Sequence, residues 1–455
     1  MTRVAKTRER SDRSNTRHSK TADTRSESPT WRGYAEALGP GLVTGASDDD
    51  PSGIATYSQA GAQFGYGMLW TSLLTLPLMA TVQEICDRTA LATGDSLGLL
   101  ANKRFHRWRL GLVVLAALLV LANLLNIAAD TLAVGEGMRL LHAGSATIWA
   151  LIAGLAVTVL IAVGSFEMIA HVFKVMCLSL LVYAVVMVAA NPSWPDVIAH
   201  TLIPHVEFTK NYMLLFVAVL GTTISPYLFF WESAHRVEEL RGEPEGGTRA
   251  APLTSSAQTK PTRKLQTSRF DVFVGMSFSN LVMFAIIVAT GTTIGAHGKT
   301  TITSAAQAAQ ALRPAAGSLA KTLFAVGFIG SGMLAIPVLA GAGAAATAGL
   351  VRKNWGYSRS LRQAPFFYLL VAIGTVGGTV LTLTGADPVK LLVYSALING
   401  ILAAPFLLLV MLISQDASIM GTKYRNGRAA TILGWGTTAL MATAALLYLV
   451  LTYAS

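Results

Sequence analysis

Apolar runs recur along most of the chain, separated by stretches rich in basic and turn-forming residues. Eleven can be marked off, at 36–60, 66–87, 109–138, 147–163, 168–190, 212–236, 271–296, 318–349, 366–384, 388–413 and 430–452. Most approach the roughly 20 residues that a helix needs to cross about 30 Å of hydrocarbon. The pattern predicts an all-α integral membrane bundle with tails, not several soluble domains. Composition agrees, with 53% hydrophobic and 13% charged residues, where a soluble domain carries about 25% charge. Mean hydropathy is +0.52.

The formal charge of +11 is unevenly placed. Bases gather in the N-terminal tail and in alternate loops: Arg88, Lys103, Arg104, Arg107 and Arg109, then Arg241 to Arg269, then Arg352 to Arg362, then Lys423, Arg425 and Arg428. With eleven crossings all of these fall on one side. The intervening loops hold few bases, so this is a topology signal and not a nucleic-acid footprint. It predicts a multi-pass protein of the plasma (inner) membrane, N-terminus cytoplasmic and C-terminus extracytoplasmic. Trp70, Trp108 and Trp149 suit interfacial anchors. Residues 1–30, nearly devoid of apolar side chains, are expected to be a disordered basic cytoplasmic tail. Acidic residues at Glu9, Asp12, Asp23 and Glu27 argue against a transit peptide. The 237–270 stretch reads as a flexible cytoplasmic linker, and 303–312 as a short external helix or a plain loop. Cys86 and Cys177 sit in or beside apolar runs and form neither a disulfide framework nor a metal site.

Two runs are interrupted. The first reads GPGLVTGASDDDPSGIATYSQAG, with Asp48, Asp49 and Asp50 in its middle. A carboxylate at the centre of a lipid-facing helix costs roughly 2.5–3.5 kcal/mol, so three would cost about 8–10 kcal/mol. The group must face water, a cation or helix-end amides. Pro51 removes a backbone donor, and Ser52 and Gly53 loosen the next turn. Asp50 then Pro51 reads as N-cap and first residue of a restarted helix. Successive helical residues are about 100° apart, so an intact helix cannot turn all three aspartates to one lumen. Two half-helices joined by unwound backbone are expected, tolerated at membrane depth only when buried in protein or lining a cavity. The competing reading makes Asp48 to Pro51 a loop cap outside the membrane, which leaves 36–47 too short to span.

The sixth run, LLFVAVLGTTISPYLFFWESAHR, repeats the feature: Pro226 follows Gly221, Thr222, Thr223 and Ser225. It lies five runs after Pro51. Interrupted helices at matching places in two halves point to a substrate site between inverted repeats. The repeats are expected at 36–190 and 212–413, with 430–452 appended as an eleventh helix. Carboxylates and freed carbonyls attract a cation. Asp50, the carbonyls around Thr222 and the Ser225 hydroxyl are hard oxygen donors, which favour Mg²⁺, Ca²⁺ or Mn²⁺. Small residues such as Gly53 leave room for a partly hydrated ion.

At these residues a family resemblance emerges. The run GPGLVTGASDDDPSGIATYSQAGAQFGYG resembles the first helix of the Nramp divalent-metal transporters, whose signature is Asp-Pro-Gly-Asn. GTTISPY resembles their sixth-helix Ala-Thr-Val-Met-Pro-His, and TALATGDSLG also matches. The resemblance covers roughly 36–452 and implies a Leu-T-like fold of five plus five helices with helices 1 and 6 broken. It implies that Asp50 is the metal-binding aspartate and that Thr222 contributes a backbone carbonyl. Gly53 stands where the family has Asn, Ser225 where it has Met, and Tyr227 where it has His. These departures are similar to the Nramp-related magnesium transporters and tilt the expectation to Mg²⁺, with Mn²⁺ beside it. The metal is then a transported substrate; no cofactor is implied, and the partners are the ion and the lipid bilayer.

The family's proton path uses acids and arginines in helices 3 and 9. Asp130 is a candidate in the third run, but the ninth has no charge, which weakens proton symport. Asp130 is otherwise a partner for a buried hydroxyl. Glu232 lines an exit path or pairs with Arg236; Asn399 faces the site or bonds a neighbouring helix. Asp48, Asp49, Pro51 and Pro226 are supporting candidates. Glu136 and Arg139 read as an interfacial pair, Glu84 and Asp87 as partners of loop bases, and His171 and Lys174 as snorkelling cations. A Leu-T-like carrier of an organic cation or amino acid is the rival reading. No HExxH and no paired catalytic motif suggests an enzyme.

Overall fold

Each apolar run, where described, coincides with a helix or an interrupted pair of helices. The computed structural model describes residues 40–163, 176–243, 246–247, 250–254, 261–295, 301–311 and 317–453. The first run is α1 (Pro40–Asp48) and α2 (Pro51–Phe64), and the second is α3 (Trp70–Thr93). A short α4 (Leu97–Arg104) precedes α5 (Arg109–Leu140) and α6 (Ala146–Val163). Then come α7 (Leu181–Ala189) and α8 (Trp194–Leu202), which are bent apart by 117°. The sixth run is α9 (Lys210–Thr223) and α10 (Pro226–Gly242). The rest are α11 (Pro261–Thr293), the short α12 (Ala305–Ala311), α13 (Ala320–Leu350), α14 (Pro365–Leu381), α15 (Pro388–Ser414), the one-turn α16 (Ala417–Met420) and α17 (Arg428–Tyr453). Residues 168–175, with His171 and Lys174, lie outside the described residues, as does the 1–30 tail.

Among the described residues, seven helices are long and apolar enough to cross a bilayer, or eight if the bent pair counts as one span. Of the remaining runs, α1 and α2 are halves, α3 carries Glu84, Asp87 and Arg88, and α6 is short. The chain is a multi-pass, all-α membrane protein. Its centre is the interrupted sixth run: the most apolar window of Lys210–Gly242 is 94% buried, against 39% for the C-terminal α17.

The two interrupted helices are seated by glycines. A Cβ on Gly45 would stand 2.1 Å from the Gly275 carbonyl oxygen on α11, and one on Gly221 would stand 2.1 Å from the Ala396 carbonyl oxygen on α15. Small residues at such crossings let backbones touch where hydrocarbon offers no hydrophobic drive. The glycines of 341–349 serve likewise: Gly341 packs under Tyr357, and Gly349 against α4.

Towards the basic-loop end the bundle is tied by charge. Arg236 on α10 pairs with Asp87 on α3, with Glu239, and with Asp271 on α11 at 3.4 Å. Ser268 donates to Asp87. Asp271 also receives the α1 amides of Gly41 at 2.9 Å and Leu42 at 3.3 Å, a carboxylate placed where unpaired amides and the helix dipole favour it. Glu84 binds Arg88 and Arg269, as partners of loop bases should. Glu136 and Arg139 pair at 2.5 Å.

Two loop expectations need correction, and a third is decided. The 88–109 loop holds the end of α3 and all of α4. Much of the 237–270 linker is helix, since α10 runs to Gly242 and α11 starts at Pro261. Its described middle is also anchored: the amides of Leu253 and Thr254 donate to the Leu91 and Ala92 carbonyls at 3.0 and 3.2 Å, and Leu253 is buried. Apolar Leu253 and the spare carbonyls ending α3 explain the docking. Of the two readings of 303–312, the helix holds, as α12.

Arg236 is the hub of this end, so Arg236→Ala leaves Asp87 and Asp271 buried beside no cation. The expected cost is about 3–5 kcal/mol, the scale for breaking a buried pair by removing one partner. Thermal unfolding of the detergent-purified variant checks this; a melting point equal to the parent's contradicts it.

Candidate functional site

Asp49 and Asp50 are where the first interrupted helix leaves the helical ladder. Asp50 has extended backbone (φ −63°, ψ 169°) and caps α2, its Oδ1 accepting from the Gly53 amide at 2.8 Å and the Ser52 hydroxyl at 2.5 Å. Pro51 is the first residue of α2, as the N-cap and N1 reading predicts. Across from it, α9 ends at Thr223 and α10 restarts at Pro226, leaving Ile224 and Ser225 between them. The Ser225 hydroxyl turns back to donate to the Gly221 and Thr222 carbonyls, at 2.5 and 3.0 Å. It thus satisfies carbonyls that the break frees.

The breaks touch each other. Tyr227, the residue after Pro226, donates from its hydroxyl to the Ser47 carbonyl at 2.8 Å. Thr222 donates from Oγ1 to the Tyr57 hydroxyl at 2.9 Å. So α1 meets α10, and α2 meets α9, around one point. Asp50, Thr222 and Ser225 are each at most 2% exposed, and Gly53 is buried. A Cβ on Gly53 would stand 3.3 Å from both the Asp48 carbonyl oxygen and the Tyr57 ring. Gly53 therefore packs closely against the Asp48 carbonyl and the Tyr57 ring, with no room for a side chain unless one of them gives.

The aspartates diverge, as helical geometry requires. Asp48 accepts from Ser279 of α11 at 2.6 Å with Oδ2, while its Oδ1 has no partner among the described residues. Both Asp49 oxygens lack one too. No three His, Cys, Asp or Glu side chains are placed to hold a metal ion among the described residues, so the triplet is not a cage. Asp130 is fully buried on α5 with both oxygens unpartnered, so the reading as a partner for a buried hydroxyl does not hold. It sits close to the first break: a Cβ on Gly332 of α13 would meet the Asp130 carbonyl oxygen at 3.1 Å and Pro51 at 3.4 Å. Asn399 is buried on α15. Glu232 is fully buried and takes the Thr44 hydroxyl; Arg236 bonds Asp87, Glu239 and Asp271, and no Glu232–Arg236 ion pair forms among the described residues.

Sequence reading misses Tyr57, Ser279, Thr44 and Gln59. Tyr57 is legible in principle: it stands four residues after Gly53 and seven after Asp50, on one helical face. Ser279 is a polar residue in an apolar run and carries little signal alone. Gln59 accepts the Ile302 amide at 3.1 Å and donates to the same residue's carbonyl, tying the segment before α12 to α2. Beside that tie lies a cleft of about 240 Å³ lined by Gln59, Gln63, Asn211, Thr303 and Asp387.

Two interrupted helices meeting inside a membrane bundle define a secondary transporter of the inverted-repeat, Leu-T-like class. The chain belongs to the Nramp family: residues 41–451 match the family model described as natural resistance-associated macrophage protein-like. It is 26% identical over 424 residues to the divalent metal cation transporter MntH of Mycobacterium leprae, covering 91% of this chain and 92% of that one. It is 25% identical over 413 residues to MntH of Aeromonas hydrophila, covering 87% and 91%. Its fold is similar to that of the Eremococcus coleocola manganese transporter, with a TM-score of 0.71 and 18% identity over 92% of this chain and 86% of that one. The likeness to MHP1, a nucleobase-cation-symport-1 family transporter, is weaker, with a TM-score of 0.51 and 14% identity over 92% and 94%.

Tyr227→Phe removes the hydroxyl that joins the breaks and leaves the Ser47 carbonyl unbonded. A buried hydrogen bond of this kind is worth about 1 kcal/mol, so uptake should fall by roughly five-fold with the protein still folded. Initial rates in proteoliposomes check this.

Proposed function

We propose that this chain imports a divalent metal cation by alternating access, binding it at Asp50 and Gly53 with the Thr222 carbonyl and the Ser225 hydroxyl. The observation that carries this is the junction itself. Asp50, at a helix break, faces a second break whose carbonyls are freed, and all of it is buried. An anion would meet three aspartates there, whereas a cation replaces the missing solvent. Divalent metal transport by the MntH relatives supports the same substrate class.

The donors are all oxygen. A hard ion, Mg²⁺ or Mn²⁺, fits this set, and with Ser at 225 and Gly at 53 no thioether or side-chain amide joins it. Asp48 and Asp49 add negative potential, Pro51 and Pro226 hold the breaks open, and Tyr227 joins them. Asp130 and Asn399 are pathway candidates near the junction. The triplet disfavours a zwitterionic amino acid, and the close packing of Gly53 against the Asp48 carbonyl and Tyr57 disfavours a bulky organic cation.

Alternating access follows from two ties. Gln59 holds the α2 side to Ile302, and Asp271 with Thr44–Glu232 holds the α1 side. Releasing one opens the site to one face. Proton coupling is not needed: a divalent ion gains about 4–5 kcal/mol per 100 mV of inside-negative potential. The repeats are 36–190 and 212–413, with 430–452 appended. Alternation of basic loops supports a cytoplasmic N-terminus and an extracytoplasmic C-terminus in the inner membrane.

Asp50→Ala should abolish Mn²⁺ and Mg²⁺ uptake while leaving a monodisperse, folded protein; normal uptake by that variant rules out the site. Gly53→Asn combined with Ser225→Met should shift competition towards Mn²⁺ and Cd²⁺, read from uptake at fixed tracer. An epitope at the C-terminus should be labelled from outside intact cells, and labelling only after permeabilisation reverses the topology.

A further inference from the structure

Glu232 belongs to a cluster of carboxylates around Arg236, and its own charge is the least compensated of them. It sits six residues past Pro226, about 9 Å along α10 at 1.5 Å per residue. It is fully buried, as are Asp87 and Asp271 nearby. Arg236, one turn on, is engaged by Asp87, Glu239 and Asp271. Asp87 also has Ser268, Asp271 has the α1 amides, and Glu239 is half exposed. Glu232 has the Thr44 hydroxyl on Oε2, and its Oε1 has no partner among the described residues. Three carboxylates thus occupy the one guanidinium, and Glu232 is left outside it. A charged carboxylate in this position is strongly unfavourable unless a cation or a proton joins it.

We propose that Glu232 Oε1 and the Thr44 hydroxyl form a second cation subsite, which the ion occupies after leaving Asp50 and before reaching the basic-loop side. This rests on the Asp50 transport reading and adds a step to it. The two residues come from α1 and α10, the halves on that side of the same two interrupted helices. An ion moving from the junction along those halves stays between them. Both donors are hard oxygens, like those of the first site, so the subsite suits the same ions. In the absence of the ion the Thr44 hydroxyl donates to Glu232 Oε2; a cation held by the carboxylate replaces that hydrogen bond with coordination by the hydroxyl oxygen.

A purely structural tie between α1 and α10 makes a different forecast, because Glu232→Gln keeps an acceptor for Thr44 and removes only the charge. Wild type, Glu232→Gln, Glu232→Asp and Thr44→Val are compared by Mn²⁺ uptake into proteoliposomes under inside-negative potential. The subsite requires that Glu232→Gln lower the maximal rate by about ten-fold or more, with the half-saturating Mn²⁺ concentration within about two-fold of wild type. Glu232→Asp, which retains the charge, should recover a substantial part of that rate, and Thr44→Val should lose about three-fold. Mn²⁺ electron paramagnetic resonance titration should count one ion fewer per chain in Glu232→Gln. A wild-type rate in Glu232→Gln overturns the subsite, as does a rate loss matched by an equal rise in half-saturation. Should the Gln variant not fold, equal rates for wild type and Thr44→Val overturn it. Asp50→Ala separates the two ideas. If that folded variant still transports, the first site fails; if it is dead while Glu232→Gln turns over normally, only the second fails.

Discussion

Backbone that leaves a helix inside hydrocarbon must find partners at once, and this structure is organised by how two breaks do so together. Asp50 supplies its own α2 amides and Ser52 with an acceptor. Ser225 covers the carbonyls that end α9. Tyr227 then directs its hydroxyl to the Ser47 carbonyl across the junction. Each bond answers a group that neither water nor lipid can satisfy at that depth. What remains unanswered is charge: Asp49 and Asp130 keep bare oxygens, and Asp48 keeps one. A bundle so thorough about backbone amides, yet so sparing with counter-ions, is built to receive a cation from outside.

Closure of the site draws on different physics at its two ends. At the α2 end the tie is a neutral amide, Gln59, reaching the Ile302 backbone. At the α1 end it is ionic, with Asp271 on helix-end amides and Arg236 balancing the carboxylates around it. Neutral ties are exchanged for water at modest cost. Ionic ones in a dry interior are lost only when another charge takes their place.

Most of the architecture is legible in the sequence because hydrocarbon imposes a crude rule. The apolar runs locate the helices, and the breaks at Pro51 and Pro226 fall where Pro, Gly and Asp make them costly to hide. Asp50 as a cap, with Pro51 as first helical residue, follows from local chemistry alone. What escapes is everything set by a neighbour from far along the chain. Ser279 reaches Asp48 across 231 positions, and Asp271 reaches Gly41 across 230. No local pattern announces such pairs. The partner of Glu232 escapes for a related reason: Arg236 lies one turn away, but three other carboxylates from α3, α10 and α11 occupy it first. Composition alone makes the 237–270 linker look flexible, yet one leucine and two spare carbonyls at the end of α3 suffice to dock its middle.

The contact between α1 and α11 has a mechanical consequence. Between Gly45 and Gly275 no side chain intervenes, so the two backbones bear directly on each other. Interlocked side chains hold a helix in one register, because any shift drives knobs out of holes. A bare backbone track has no such teeth. α1 is thus held at a fixed distance from its support, and its angle on that support is set by the polar bonds at either end, Asp271 to Gly41 and Ser279 to Asp48. Rigidity in separation and softness in angle are the properties of a bearing.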